Sequence, residues 1–376
     1  MSSTLLREVA PRGASFTEVA GREIVRHHGD PAAEYAAVRD AVGAAVRTDL
    51  VPIRMWGRDP LRMLHGLVTS DLLRLEPGAA AYAAMLNPKG RVVAELRALP
   101  LAREQPELLL LVPAEALQGA TGQLTKYVPP LFARWEECSG RWVVLGAYGP
   151  EAAGVVARVT GAEPTLDEDR FLETGPGEAP ILVVATREAG GEPGFDLVVP
   201  VERAEATWAE LLACAAERGG RAIGWSTLET LRVEAGRPRA GAELTEETIA
   251  TEAYEAIGWV PRAISFGKGC YTGQEVIVRI AHRGHVNRHL RGLVLGDVPA
   301  PTSGTRLHHP QSGKEVGRVT SAAVSPLMGA TIAMAFVRRE VAPGDRVRLD
   351  GEGRAEGLVV ELPFSPAHAA GSPGPP

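Results

Sequence analysis

The sequence has few cysteines and no long apolar segment. Its 376 residues include three cysteines, too few for a disulfide framework in a chain of this length, which favours a reducing compartment. No apolar run approaches the about 20 residues of a membrane-spanning helix. The N-terminal residues lack the apolar core of a secretory signal, so we expect a cytoplasmic protein with no membrane partner. The net charge of -6 argues against a nucleic-acid partner.

Several common catalytic and cofactor-binding motifs are also missing. There is no Cys-x-x-Cys pair, and the adjacent histidines at 27–28 and 308–309 cannot present both rings on one face of a helix or strand. No metal site is therefore predicted. The sequence has neither a phosphate-binding Gly-x-x-x-x-Gly-Lys-Ser/Thr loop nor the strained elbow of a serine nucleophile. The stretch 146–149 is too short for a dinucleotide-binding loop.

Hydrophobic periodicity and turn residues divide the first three quarters of the chain into helices and strands. The predicted helices cover 31–46, a segment that opens at Asp59-Pro60, 113–127, 150–159, 201–218 and 226–236. Strands are predicted at 51–56, 108–112 and 142–147, and hairpins join 80–86 to 91–99 and 181–186 to 195–199. A similar order of elements thus occurs twice along the chain.

The pattern changes from about residue 290. Strand-like runs follow at 290–295, 305–309, 315–322, 330–337, 345–349 and 356–362, with short turns between them. We therefore predict an α+β body followed by a small antiparallel barrel or sandwich. Residues 1–29 are predicted as an N-terminal extension, 30–288 as the α+β body and 289–364 as the C-terminal β-domain. Residues 365–376, rich in Pro, Gly and Ala, are predicted as a disordered tail.

One cysteine lies in an unusual setting. Residues 268–275 read KGCYTGQE, with Cys270 between two glycines and Lys268 close by. The Thr-x-x-Glu spacing at the end of the segment has the form of a capping box, which predicts a helix from Gly273. The positive end of that helix, together with the lysine, would favour the thiolate of Cys270. The alternative is a glycine-rich turn in which the cysteine only fills space.

Two further segments carry charged residues in settings that suit a ligand. Glu192 lies in the predicted turn Gly191–Asp196, where its carboxylate could accept two parallel hydrogen bonds from a heterocycle. A solvated turn glutamate is the commoner alternative. Arg232 lies among apolar residues of a predicted helix and could pair with a ligand carboxylate. A structural ion pair with Glu229 or Glu234 is about equally plausible from the local sequence.

These segments together resemble a known family. From about residue 30 to 362 the chain is similar to the folate-binding superfamily of the glycine-cleavage T-protein (aminomethyltransferase). The similarity rests on five landmarks: Arg39–Gly43, Asn87–Gly90, Gly191–Phe195, Thr230–Gly236 and the segment 268–275. Because KGCYTGQE matches the hallmark of the YgfZ-type branch at every position, the resemblance is expected to extend to that branch.

The resemblance implies both a fold and a cofactor. It implies an α+β fold in which two related α/β lobes and a C-terminal antiparallel β-barrel form a cloverleaf around a folate pocket. The implied cofactor is tetrahydrofolate or a one-carbon derivative. In this family pattern Glu192 matches the acid that hydrogen-bonds the pterin, and Tyr82 matches an aromatic residue near the pterin. Arg232 matches an arginine of the folate pocket, and Trp259 an aromatic residue of the channel for the folate tail.

One difference from the T-protein affects the expected chemistry. The T-protein has two adjacent acids, one of them used in catalysis on the aminomethyl group, and these correspond here to Ala94 and Glu95. Because neighbouring residues of a strand alternate between its faces, Glu95 is expected to point away from the face of Ala94. T-proteins also lack the cysteine motif. The expected catalytic residues are therefore Cys270, Lys268 and Glu95.

The branch resemblance implies an accessory function. The main expectation is a tetrahydrofolate-binding protein for iron–sulfur cluster assembly or repair, acting through Cys270, with assembly factors or client proteins as partners. One thiol cannot hold a cluster alone, since clusters take about four ligands. Two alternatives stay open. One is an enzyme, a folate-dependent aminomethyltransferase or demethylase assisted by Glu95, and the other is a structural scaffold with a vestigial pocket.

Overall fold

The computed structural model describes residues 13–165, 167–175, 180–351 and 355–369. Its strands are β1 (Ser15–Val19), β2 (Arg22–His27), β3 (Gly43–Val46), β4 (Leu50–Gly57), β5 (Ala81–Leu86), β6 (Val92–Leu101), β7 (Glu107–Pro113), β8 (Ala133–Glu137), β9 (Trp142–Tyr148), β10 (Phe171–Thr174), β11 (Ile181–Thr186), β12 (Gly194–Pro200), β13 (Arg221–Ala222), β14 (Arg288–Gly296), β15 (Arg306–His308), β16 (Glu315–Ser325), β17 (Ala330–Arg338), β18 (Arg346–Leu349) and β19 (Glu356–Val360). Its α-helices are α1 (Pro31–Asp40), α2 (Pro60–His65), α3 (Leu117–Tyr127), α4 (Ala152–Thr160), α5 (Val201–Glu217), α6 (Trp225–Glu234), α7 (Ala250–Tyr254), α8 (Val260–Ala263), α9 (Gln274–Arg283) and α10 (Pro366–Ala369).

Contacts divide the chain into two compact units, and the first is built on two sheets. This unit takes in the chain up to Met85, Val93–Leu228 and Arg262–Thr272. One sheet has the order β10-β11-β12-β9-β3-β13, and the other has the order β5-β6-β7-β4-β8. Strands β1 and β2 form a separate antiparallel pair.

Both faces of the six-stranded sheet are covered. Leu145 on β9 packs in one buried cluster with Val155 of α4 and Leu211 of α5. The next residue back, Val144, belongs to a different cluster that includes Leu109 of the five-stranded sheet. Since strand residues alternate between faces, one face of the sheet packs on helices and the other on the second sheet. Burying each such Leu or Val stabilises the unit by about 1.5–3 kcal/mol.

The second unit contains the barrel. It takes in Leu86–Val92, Glu229–Pro261 and the chain from Gly273 onward. Six strands close in the order β14-β17-β16-β15-β18-β19. Their inward residues, among them Leu293, Val319, Ala333 and Val359, form a buried apolar core. The predicted α+β class with a C-terminal antiparallel barrel is therefore confirmed.

Short-range sequence patterns placed many elements correctly. The predicted strand 51–56 lies within β4, and the predicted hairpins correspond to β5–β6 and β11–β12. Asp59 caps α2 by accepting a hydrogen bond from the backbone N–H of Arg62, and Pro60 is the first residue of the helix.

Among the described residues, no helix has the length and apolar character needed to cross a membrane.

The helix predicted over 31–46 is wrong beyond Asp40. Residues Gly43–Val46 form β3, which is buried at every position and pairs with both β9 and β13. A Cβ at Gly43 would lie 2.6 Å from the Val38 side chain, so the glycine lets the strand pass close to α1. The small residues of this segment suit a tightly packed interior strand, and its partners are about 100 or more positions away along the chain.

The ends of the chain and the start of α9 also differ from the predictions. The capping box before α9 does not form, because the N-cap is Gly273, which has φ 80 and no side chain to accept a hydrogen bond. A Cβ at Gly273 would lie 2.5 Å from the Asn87 carbonyl oxygen, so only glycine fits. Of the predicted tail, 366–369 forms the short helix α10 with a buried His368, contrary to expectation. Residues 370–376, and 1–12 of the predicted extension, lie outside the described residues.

Candidate functional site

Tyr82 and Glu95 form a buried pair in the first unit. Tyr82 lies on β5 and Glu95 on the neighbouring strand β6, and the two residues are only 5% and 6% exposed. The phenol of Tyr82 donates a hydrogen bond to the carboxylate of Glu95. The structure thus brings together the aromatic residue expected near a pterin and the acid expected in catalysis.

Arg262 lies against the ring of Tyr82. Its guanidinium carbon is 4.9 Å from the ring centroid, a distance at which a cation is attracted to an aromatic face. Asp169 accepts two hydrogen bonds from this guanidinium, at 2.6 and 2.8 Å, and Glu168 lies 3.3 Å away. Burial alone would lower the pKa of Arg262, but the hydrogen bonds and charge of Asp169 outweigh that effect and raise it. The cation on Tyr82 is therefore permanent.

Arg97 connects three carboxylates in the interior of the same unit. Its guanidinium nitrogens lie 2.7 Å from Glu188, 3.3 Å from Asp169 and 3.4 Å from Asp196. Burial alone would lower the pKa of Arg97, but the carboxylates, led by Glu188, raise it. A buried arginine of this kind is tolerated only because it is paired, since removing a partner would leave a charge without compensation.

Asp196 is the most deeply buried of these acids. It accepts a hydrogen bond of 2.6 Å from the phenol of Tyr148 and lies 3.5 Å from Arg47. Arg47 is held in turn by Asp49 at 2.7 Å. A Cβ at Gly146 would lie 2.3 Å from the Tyr148 hydroxyl oxygen, so this glycine makes room for the phenol beside Asp196.

Glu192 occupies the predicted turn and is held by an arginine. The turn lies between β11 and β12, and Gly191 beside it has φ 82. Arg39 of α1 donates a hydrogen bond of 2.9 Å to the Glu192 carboxylate. The Glu192 side chain is 27% exposed, so part of its carboxylate can reach a ligand. Two of the family landmarks, 39–43 and 191–195, thus contact each other through this pair.

Lys268 is buried and bound to backbone carbonyls. Its ammonium donates to the carbonyl oxygens of His65, Val68 and Ser70 at 2.5, 2.6 and 3.0 Å. Burial lowers the pKa of Lys268 to about 8, although the charge of Asp71 acts in the opposite direction. All three ammonium hydrogens have acceptors, so the lysine ties its loop to the segment that follows α2.

Cys270 is exposed, whereas Cys138 and Cys214 are buried. In the part of the chain that the structure describes, its thiol makes no hydrogen bond. The next residue, Tyr271, is buried, and burial raises the pKa of its phenol to about 12. The structure therefore shows an accessible thiol but no described group that activates it.

Arg232 belongs to the second unit and is fully engaged there. It donates to both oxygens of Glu229 at 2.9 and 3.1 Å, to Glu243 at 3.0 Å, to Ser321 at 2.7 Å and to the Arg237 carbonyl at 2.6 Å. Burial alone would raise the pKa of Glu243, but Arg232 and two hydroxyl groups lower it. Of the two alternatives for this arginine, the structure shows the ion pair, and Glu229 is its partner within α6.

Trp259 also belongs to the second unit. It is half-buried, and the guanidinium carbon of Arg237 lies 4.8 Å from its ring centroid. Glu234, the other partner considered for Arg232, instead accepts hydrogen bonds from the Ser325 hydroxyl and the Leu327 backbone N–H.

Several residues of the site were not anticipated from the sequence: Arg47, Arg97, Tyr148, Asp169, Asp196 and Arg262. Arg97 and Asp196 each lie between apolar neighbours of a buried strand. A charged residue in such a position is rarely buried unless it is paired, so this pattern could have pointed to both. Asp169 lies in an irregular segment and Arg262 in the four-residue helix α8, and neither is long enough for periodicity to distinguish a site residue from a solvated one.

The chemistry of this cluster suits an organic ligand. The described residues contain no group of three or more His, Cys, Asp or Glu side chains that could hold a metal. A mixed α/β unit with buried acids, arginines and a tyrosine precedes a closed six-stranded barrel. This combination is the fold of the folate-binding class of proteins that the sequence resembles.

Comparison with known proteins identifies the family. Residues 5–260 match the GCVT N-terminal domain, and residues 288–365 match the glycine cleavage T-protein C-terminal barrel domain. The chain belongs to the glycine cleavage T-protein family. It is 32% identical to an aminomethyltransferase of Saccharopolyspora erythraea, with 94% of each chain covered. It is 31% identical to an aminomethyltransferase of Streptomyces coelicolor, with 97% of this chain and 99% of the relative covered.

A solved structure supports the fold. The glycine cleavage system aminomethyltransferase T of Bartonella henselae superposes with a TM-score of 0.84 and 23% identity, covering 97% of this chain and 98% of that one. The family uses tetrahydrofolate as substrate and cofactor, which confirms the expected cofactor at the level of the family.

The comparisons correct the main functional expectation. The predicted accessory role in iron–sulfur cluster assembly is wrong, because the relatives that match nearly the whole chain are aminomethyltransferases. They support the superfamily but not the YgfZ-type branch, nor the iron–sulfur partners inferred from it. The motif at 268–275 therefore predicted the wrong function, whereas the similarity of the whole chain indicates aminomethyltransferases.

Proposed function

We propose that the protein is a folate-dependent aminomethyltransferase, which moves the carbon of an aminomethyl group to tetrahydrofolate and releases ammonia. The observation that carries the proposal is the Tyr82–Glu95 pair. At the position of the first T-protein acid this chain has Ala94, so a carboxylate for the reaction has to come from elsewhere. Glu95 is buried next to that position and receives the phenol hydrogen bond of Tyr82.

Glu95 acts as the proton acceptor in this proposal. When a folate amine forms a bond to the transferred carbon, the nitrogen loses its proton, and a nearby carboxylate can take it. The hydrogen bond from Tyr82 holds the carboxylate of Glu95 in place for that transfer. Methylene formation makes two carbon–nitrogen bonds to the folate and breaks the carbon–nitrogen and carbon–sulfur bonds of the donor. The two protons that the folate nitrogens lose end on the released ammonia and the released thiol, so the carboxylate is restored by the end of the reaction.

Glu192 and Tyr82 bind the pterin. The exposed part of the Glu192 carboxylate accepts hydrogen bonds from adjacent pterin N–H groups, while Arg39 fixes its orientation. The ring of Tyr82 provides an aromatic contact. Arg232 has a structural role instead, because its hydrogen bonds to Glu229, Glu243 and Ser321 are all within the second unit.

The test is turnover by the purified protein with tetrahydrofolate and a panel of aminomethyl thioethers. Ammonia and methylene-tetrahydrofolate are measured together. Glu95→Gln should lower kcat by about 100-fold, the usual contribution of a positioned acid or base. Tyr82→Phe, which keeps the ring but loses the hydrogen bond, should lower kcat less. Glu104→Gln is the matched control, because Glu104 is exposed in the same unit.

Each outcome separates this proposal from the alternatives. Turnover of N-methyl donors alone would replace it with a demethylase. Folate binding without turnover of any donor would contradict it, and absence of folate binding would leave a structural scaffold. Turnover at an unchanged rate in Glu95→Gln would remove Glu95 from the mechanism.

A further inference from the structure

Asp169 has an unusual backbone conformation. Its φ is 62, and apart from Ala20 it is the only residue other than glycine with positive φ that is recorded among the described residues. A non-glycine residue in this left-handed region is strained and persists only when the surroundings hold it there. Asp and Asn tolerate it better than other residues, which is consistent with an aspartate at this position.

The backbone of Asp169 is held from two sides. Its N–H donates to the Ala185 carbonyl oxygen at 3.2 Å, and its own carbonyl accepts from the Ala80 N–H at 2.7 Å. Ala185 lies on β11, and Ala80 directly precedes β5, the strand of Tyr82. These two backbone hydrogen bonds fix the main chain of Asp169 in the position from which its carboxylate contacts Arg262.

The side chain of Asp169 makes the contacts that hold Arg262 on Tyr82. Both carboxylate oxygens accept hydrogen bonds from Arg262, and one also lies 3.3 Å from Arg97. A two-point contact fixes the plane of a guanidinium as well as its distance. The guanidinium of Arg262 lies over the ring of Tyr82, and the phenol of Tyr82 donates a hydrogen bond to Glu95. Asp169 thus acts on the pair through one intervening residue.

We propose that Asp169 is a positioning residue: through Arg262 it fixes the ring of Tyr82 so that the phenol stays on Glu95. This inference rests on the proposed function for its kinetic consequences, but the geometry that it describes is independent of turnover. Because a displacement of about 1 Å in a catalytic group can cost about 100-fold in rate, a residue without ligand contact can have a large effect.

Asp169→Asn is the test variant, since asparagine tolerates the left-handed conformation and keeps the size of the side chain. Glu168 lies 3.3 Å from Arg262 and can take over part of the contact. We therefore expect kcat to fall by about tenfold, with little change in KM for tetrahydrofolate. Asp167→Asn is the control, because Asp167 is exposed in the same turn and makes no ion pair within the described chain. It should match the wild type.

A double-mutant cycle separates positioning from general weakening of the fold. In a Tyr82→Phe background the phenol hydrogen bond is already absent, so Asp169→Asn should lower kcat by less than twofold. The same tenfold loss in both backgrounds would overturn the inference while leaving the proposed function intact. If Asp169→Asn does not fold, Arg262→Lys replaces it, because lysine keeps the charge but cannot make the two-point contact.

Nuclear magnetic resonance of protein labelled with ¹³C in its tyrosine rings tests the geometry without turnover. Tyr82→Phe identifies the Tyr82 signals among the six tyrosines. In the ligand-free protein, Asp169→Asn should shift the Tyr82 ring signals, and Asp167→Asn should leave them in place. Unshifted Tyr82 signals would overturn the inference whether or not the wild type turns over. Shifted signals in a protein without turnover would uphold it and reject the proposed function instead.

Discussion

Replacing Lys268 with methionine tests whether this lysine holds its loop or serves the neighbouring thiol. Methionine keeps an unbranched stem but has no ammonium. The carbonyl groups of His65, Val68 and Ser70 would lose their common donor. Because Lys268 is only 8% exposed, water cannot simply take the place of the ammonium.

The magnitude of this loss follows from the contacts of Lys268. A buried polar group left without a partner costs about 1–3 kcal/mol, so the three carbonyls together cost about 6 kcal/mol. Against this, the variant no longer buries a charge. The fall of the Lys268 pKa from 10.5 to about 8 corresponds to at most about 3–4 kcal/mol, and to less after screening by solvent. We expect the free energy of unfolding to fall by about 3–4 kcal/mol.

Urea titration followed by tryptophan fluorescence measures this change. Lys314→Met is the matched control, because Lys314 is exposed and makes no ion pair among the described residues. The rate of Cys270 alkylation in the native state is measured on the same samples. An unchanged urea midpoint together with slower alkylation of Cys270 in Lys268→Met would refute the structural role. It would show instead that Lys268 makes the Cys270 thiol more reactive.

Two further predictions concern other acids. Glu192→Ala should weaken the binding of tetrahydrofolate by about 10-fold or more, because hydrogen bonds to a charged group contribute about 1.5–3 kcal/mol. Calorimetric titration measures the Kd, and an unchanged value would exclude Glu192 from the pterin site. Glu243→Gln should change the acid sensitivity of the protein. Arg232 and two hydroxyl groups lower the pKa of Glu243, so its contribution to stability is complete above its ordinary pKa of 4.5 and is lost as the pH falls through the lower, folded-state value. The wild type should therefore lose more stability than Glu243→Gln between about pH 5 and 3, and parallel losses would contradict the pairing.

Turn and cap residues predicted local structure well because their effects are local. The Asn87–Gly90 turn and the Gly191–Gly194 turn each lie between strands that pair antiparallel, as the sequence predicted. Asp59 and Pro60 begin α2 as expected, because an N-cap and a fixed φ act over a few residues. The strand pattern of the last quarter of the chain likewise predicted a small antiparallel barrel or sandwich, and the structure shows the barrel.

The same reasoning failed where the deciding contacts were distant. Gly43–Val46 has the composition of a helix end but is a strand, because β9 provides partners about 100 residues later. The capping box at 272–275 is present in the sequence yet unused. Glycine at 273 adopts a conformation that brings its backbone close to Asn87, and this excludes the cap.

By itself, the sequence determined the α+β class, the C-terminal barrel, the superfamily and the residues Tyr82, Glu95 and Glu192 as candidates. Only the tertiary structure decided how they are used. Tyr82 and Glu95 are one hydrogen-bonded pair, whereas Lys268 and Arg232 are held by protein partners. The physical reason is that a buried charge must find a partner in space. In a fold with paired sheets, that partner can lie 203 positions away along the chain, as His65 does from Lys268.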